Sequence, residues 1–114
     1  MLPAMDPRQE RLARNEALFR DVNERVREIA AVHGDDDHVY EFYCECSNAD
    51  CTFQLRATLA EYEAVRAHPA RFIVAPKHSM PEIETVVEQR ENLWVVEKQG
   101  EPAELAKELD PRTD

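Results

Sequence analysis

Residues 39–57 read VYEFYCECSNADCTFQLRA, and the reading of this stretch decides how the rest of the chain is placed. Val39 to Cys46 is rich in aromatic residues and predicts a strand. Cys44 to Cys51 predicts a tight loop, because Ser47, Asn48 and Asp50 are turn formers whose short side chains bond to nearby backbone. From Thr52 to Ala57 the pattern alternates, with Phe53, Leu55 and Ala57 on one face, so a second strand returns as a hairpin. At the tip lies Cys44-x-Cys46-x4-Cys51, a dense group of soft ligands.

Three thiols so close together point to a metal. Tetrahedral zinc takes four ligands, with sulfur at about 2.3 Å and nitrogen near 2.0 Å. A loop between two strands turns its thiolates around one ion, and the fourth ligand must come from elsewhere. His78 is the candidate, because it sits in a loop bracketed by Pro76 and Pro81, just after a predicted strand. Of the other histidines, His33 and His38 flank the acidic Asp35–Asp37 loop, and His68 ends a helix before Pro69. A closed shell of Cys44, Cys46, Cys51 and His78 implies a structural rather than catalytic ion. Two other readings stay open: a core cysteine at Cys44 with two incidental thiols, and a reactive thiol at Cys44 or Cys46 activated by a histidine. Three cysteines, two of them one residue apart, make poor disulfide partners and suit a reducing compartment.

Flanking segments supply the scaffold. Asp6, Pro7 and Gln9 resemble a capping box with proline at the first helical position. Apolar residues then recur as Leu12, Phe19 and Val26, interleaved with Val22 and Ile29 and widened by Leu18 and Ala30. This predicts a helix from Pro7 to Val32 whose stripe has heptad character, with Asn15 at a d position. The stripe packs on the domain's own sheet or pairs with a partner, including a second copy. Glu10 with Arg14, Glu16 with Arg20 and Asp21 with Arg25 are expected i,i+4 pairs. Gly34 ends the helix. Downstream, Thr58 to Glu61 forms a T-x-x-E capping box for a short helix that buries Leu59, Tyr62 and Val65. Arg71 to Ala75 predicts a strand, Ile83–Gln89 and Leu93–Lys98 a second hairpin, and Pro102–Leu109 a terminal helix. Glu82, Glu84 and Glu88 read as a solvated sheet face, and Trp94 as core. The expected class is α+β: a long N-terminal helix, then a small, mostly antiparallel sheet with a short helix and a metal-binding loop. Residues 1–6 are expected to be disordered, 7–109 to form one domain, and 110–114 to fray.

The 114 residues carry 24 acids against 14 lysines and arginines, a formal net charge of -10. Binding to nucleic acid depends on cations that displace counterions from phosphates, so this balance argues against it and against anionic membranes. The six arginines from Arg8 to Arg27 are interleaved with acids. Two glycines leave no glycine-rich phosphate loop, and neither an H-E-x-x-H motif nor a nucleophile elbow is present. Aliphatic runs are far shorter than the roughly 20 residues that cross a bilayer, and the first residues lack a signal-peptide pattern. A cytoplasmic, non-enzymatic protein-interaction or regulatory module stapled by zinc is the expectation. The alternative is a redox or metal-dependent enzyme using a thiolate or a [2Fe-2S] centre.

The [2Fe-2S] part of that alternative rests on a resemblance. The Cys44-x-Cys46 opening is similar to that of the CDGSH family, whose three cysteines and one histidine hold a [2Fe-2S] cluster. Here the histidine lies well beyond Cys51, and no Cys-Asp-Gly-Ser-His run exists. A second resemblance is broader. RNEALFRDVNERV, CECSNADC, LAEYEAVRAHPARFIVAPKH and NLWVVEK, between Arg14 and Lys98, resemble a set of short actinobacterial proteins over about three quarters of the 114 residues. In those proteins a glycine precedes the corresponding histidine; Lys77 stands in its place here. The resemblance implies a bacterial, cytoplasmic protein in which Cys44, Cys46, Cys51 and His78 belong together. It implies no activity.

Overall fold

The computed structural model describes residues 6–33 and 38–112. The expected disordered start up to Met5, the Gly34 stop, the Asp35–Asp37 loop and the last two residues lie outside them. A mixed α+β architecture is observed. Helix α1 (Pro7–His33) leads into β1 (Val39–Tyr43) and β2 (Gln54–Thr58). Helix α2 (Leu59–Arg66), β3 (Arg71–Val74), β4 (Glu84–Gln89), β5 (Trp94–Lys98) and helix α3 (Gly100–Glu108) follow. β1 and β2 form an antiparallel hairpin, and β3, β5 and β4 form a second antiparallel sheet in that order.

Local chemistry explains the elements. Asp6 caps α1 by accepting from the Arg8 N–H at 2.9 Å. Thr58 and Glu61 complete the capping box of α2, with reciprocal bonds of 3.1 and 2.8 Å. In the first hairpin Phe42 faces Leu55 and Tyr40 faces Ala57. In the second sheet Phe72 and Val86 both face Val96, and β4 carries a bulge between Val86 and Glu88. The core joins both sheets through Phe42, Leu55, Tyr62, Phe72, Ile73, Val95 and Val96. Phe42 and Tyr62 stack with centroids 4.5 Å apart. Trp94 packs against this core while half-buried.

The first helix departs from its expected face. Leu12, Phe19 and Val26 are only half-buried, and Leu18, Val22 and Ile29 point outward. Ala13, Glu16, Ala17, Arg20, Asn23, Glu24 and Ala30 are the buried residues. The physical reason is the surface α1 covers, which presents backbone groups that need partners. Arg20 donates to Pro69 O at 2.7 Å and to Ala106 O at 2.8 Å. Asn23 donates to Tyr43 O at 2.8 Å and accepts from the Tyr43 N–H at 2.7 Å, in place of a neighbouring strand. Asn15 donates to Ser47 O at 2.9 Å, so it clips the cysteine loop rather than specifying a coiled coil. An aliphatic face would leave these groups unpaired, at about 1–3 kcal/mol each.

Two buried charge groups complete the interior. Lys98 lies between Glu16 and Glu84, all three side chains excluded from solvent. Glu84 was expected on a solvated face, and Glu16 beside Arg20; both instead turn inward to Lys98. Arg20 and Lys98 each lie over the Phe72 ring, at 4.6 and 5.0 Å. Nearer the chain end, Arg66 binds Glu24 at 2.7 Å and Asp110 at 2.5 Å, and Arg112 binds Glu24 and Glu63. Asp110 and Arg112 thus both take part in ion pairs.

Replacing Lys98 by Met leaves two carboxylates buried without their cation, and is expected to cost about 3–5 kcal/mol. Adding Glu16→Leu and Glu84→Leu should recover most of that loss in urea melts. The second group predicts acid sensitivity. Burial pushes Glu24 and Asp110 up, but hydrogen bonds from Arg112 and Arg66 to Glu24, and from Arg66 and the Arg112 N–H to Asp110, leave both below the ordinary carboxylate range. Glu63 is lowered by its hydrogen bond from Arg112 against burial. Folded pKa values below unfolded ones give stability that is complete above about pH 5 and lost as pH falls through the folded values. Melts from pH 6 down to about pH 3 should show this fall, and Arg112→Met should make it shallower.

Candidate metal centre

The Cys-x-Cys spacing sets the site through strand geometry. Successive side chains of an extended segment alternate, so Cys44 and Cys46 share one side and Glu45 takes the other. Cys44 continues the first hairpin beyond β1, its N–H donating to Phe53 O at 3.0 Å. One residue later the chain changes partners. The Glu45 N–H donates to Ile73 O at 2.8 Å, and the Glu45 carboxylate accepts from the Ile73 N–H at 3.0 Å. Ile73 lies on β3, the edge of the second sheet, so one residue satisfies both of its outward backbone groups. Cys44 Sγ takes the next donor along, the Ala75 N–H, at 3.1 Å. Glu45 is fully buried, which pushes its pKa up to about 7 despite hydrogen bonds from Asn23 and Ile73.

Two turns deliver the remaining residues. The Asp50 N–H donates to Asn48 Oδ1 and the Cys51 N–H to Asn48 O, both at 3.0 Å, which folds Cys51 back towards Cys44 and Cys46. After β3, the His78 N–H donates to Ala75 O at 2.9 Å. Pro76 and Lys77 are the central residues of that turn, and Lys77 has φ 70°. This is the pattern of a type II turn, with proline first and a left-handed residue second, where glycine is the unstrained choice. Lys77 therefore occupies a glycine-type backbone position immediately before His78. Glu84 Oε2 accepts from the Met80 N–H at 2.8 Å and ties down the loop that follows.

Cys44, Cys46, Cys51 and His78 are brought together, one ligand atom from each lying within 4.8 Å of all the others. His78 Nδ1 is 3.6 Å from Cys44 Sγ and 3.7 Å from Cys51 Sγ. A tetrahedron with sulfur at about 2.3 Å and nitrogen near 2.0–2.1 Å has S···N edges of about 3.6 Å. The two observed separations match such edges, and Nδ1 is the ring nitrogen that faces the sulfurs. Cys44 and Cys46 are buried, whereas Cys51 and His78 reach the surface. Phe53, expected on one face with Leu55 and Ala57, is 59% exposed, unlike those two, and sets its ring edge-on to His78 at a centroid distance of 4.8 Å. His38 and His68 are exposed and stand outside it.

Electrostatics favour a cation here. The hydrogen bond with Cys44 holds the Cys46 thiol down at about 5, while that same contact and burial push Cys44 far up. Burial also raises Cys51. Three sulfurs this close cannot all ionise without a compensating positive charge. A thiophilic ion supplies it, and the three-sulfur, one-nitrogen donor set suits such an ion. The supporting roles of Glu45, Asn23 and Asn15 escaped sequence reading, which placed Asn15 only at a heptad position. A lone acid between two cysteines in an apolar run was the available signal for Glu45; Asn15 and Asn23 carried none.

The chain matches no family model, and no similar chain was found among curated proteins or solved structures. Its turn geometry makes a test of its own. Lys77→Gly relieves a left-handed lysine and is expected to stabilise the protein by about 0.5–1 kcal/mol in thermal melts, with metal content unchanged.

Proposed function

We propose that this protein is a small, non-enzymatic interaction or regulatory module whose fold is stapled by one zinc ion at Cys44, Cys46, Cys51 and His78. The observation that carries the reading is the pair of 3.6 and 3.7 Å separations between His78 Nδ1 and two sulfurs, which are tetrahedral edges around a single ion. Four protein ligands fill a tetrahedral shell, so no position is left for substrate or activated water, and the ion's role is structural. Three cysteines come from the first hairpin and the histidine from the loop after β3, so the ion ties one sheet to the other. A two-iron cluster holds its ligands in two pairs on opposite sides. Four atoms all within 4.8 Å of one another favour one ion over such a cluster. The interaction role draws on the acidic charge of -10, which suits a basic partner surface. No helix among the described residues is long and apolar enough to cross a membrane.

Native mass spectrometry with elemental analysis of the purified protein is expected to find one zinc per chain. Chelation should lower the melting temperature and expose thiols that resist alkylation beforehand. Cys51→Ser should lose the ion and much of the stability, since binding free energy at such a site is folding free energy. An unchanged melting temperature in Cys51→Ser would sink the structural role. Iron with sulfide would move the assignment to redox chemistry.

A further inference from the structure

The outer face of α1 carries an aliphatic stripe that nothing in the described chain covers. Leu18, Val22, Ile29 and Val32 are 61, 38, 65 and 86% exposed. Their spacing of four, seven and three is that of a and d positions in a heptad, with Arg25 at the intervening one. This stripe is distinct from the Leu12, Phe19 and Val26 stripe, which leans on the domain. A single exposed leucine needs no explanation. Four aliphatic side chains along one helical seam form a patch of the kind that marks contact surfaces.

We propose that this face pairs with the same face of a second copy of the chain, the two α1 helices running antiparallel. It goes beyond the interaction reading above and is independent of the metal. The order of residues is the first support. In an antiparallel register that sets Leu18 against the partner's Ile29, the two-fold axis repeats that aliphatic contact, as an isologous interface requires.

Charge is the second support. Arg25 is preceded at four residues by Asp21 and followed at three by Glu28, all three exposed. No ion pair joins Arg25 or Glu28 to any other described residue. In an antiparallel pair that sets Leu18 against the partner's Ile29, Val22 faces the partner's Arg25. That guanidinium then lies beside Asp21, and the two-fold axis repeats the pair. Antiparallel helices also oppose their dipoles favourably.

Size is the third support. A 27-residue helix is about 40 Å long, and the longest extent of the molecule is 45 Å. The seam from Leu18 to Val32 covers about 21 Å of that helix, a little under half of the longest extent. Two such faces bury on the order of 1,000 Å², at the low end of specific interfaces. The dimer is accordingly weak, with a Kd between about 1 µM and 1 mM.

Sedimentation equilibrium and native mass spectrometry of the full chain test this, with bound metal measured on the same samples. The wild type is expected to show a monomer–dimer equilibrium in that range. Ile29→Lys should weaken it at least tenfold while leaving metal content and melting temperature unchanged, because Ile29 is exposed. Arg25→Glu and Asp21→Arg should each weaken it about tenfold, and the double variant should restore it. A wild type that stays monomeric at about 1 mM overturns the proposal. So does a dimer indifferent to Ile29→Lys, or a face that takes up a different protein in preference to its own copy. Loss of the metal reading would instead appear as a metal-free protein, whatever its oligomeric state.

Discussion

The join between Glu45 and Ile73 is the constraint on which the rest of the structure depends. A two-stranded hairpin is not stable alone in water, and the second sheet ends on β3, an edge that would present unpaired backbone groups. One residue resolves both problems. Its N–H and carboxylate bind the Ile73 carbonyl and N–H, while its neighbour Cys44 accepts from Ala75. The hairpin thereby becomes an extension of the edge it covers. Alternation along the strand then commits Cys44 and Cys46 to the opposite side, towards His78. The ligand group follows from the sheet join, since the residue that makes the join lies between the two cysteines.

Placing a carboxylate at that position creates a debt of polarity, and α1 settles it. Asn23 donates to Glu45 and pairs with Tyr43, while Asn15 holds Ser47. Arg20 reaches two further carbonyls across the interior. The helix thus turns a polar face inward and leaves part of its aliphatic surface outside, the reverse of the usual amphipathic arrangement. Buried polar contacts of this kind contribute little net stability per pair, but each is costly to leave unmade. They penalise other placements of the helix, because a slip by one turn would orphan several groups together.

The candidate ligand group lies at the corner of this arrangement nearest the surface. Cys51 and His78 sit at the surface on separate loops, and each is set by a turn whose hydrogen bonds are local. Without an ion, three clustered sulfurs oppose one another's ionisation. With one, the same closeness becomes coordination. The left-handed Lys77 beside His78 is local strain, tolerated where the turn fixes a side chain next to the candidate centre.

Local signals determined much of this protein. Capping chemistry at Asp6 and at Thr58 with Glu61 places two helix starts, because those bonds span only a few residues. Alternation from Thr52 to Ala57 and the turn formers around Asn48 place the first hairpin, and clustered soft ligands nominate Cys44, Cys46, Cys51 and His78. Only the tertiary structure decided which face of α1 lies inside, that Glu84 pairs with Lys98 instead of facing water, and that Phe53 sets its ring against His78 instead of following Leu55 and Ala57 inward. These outcomes depend on backbone groups and charges contributed by segments distant in sequence. Hydrophobic periodicity counts apolar residues along one helix, but it cannot count the carbonyls and carboxylates that will face that helix once the chain is folded.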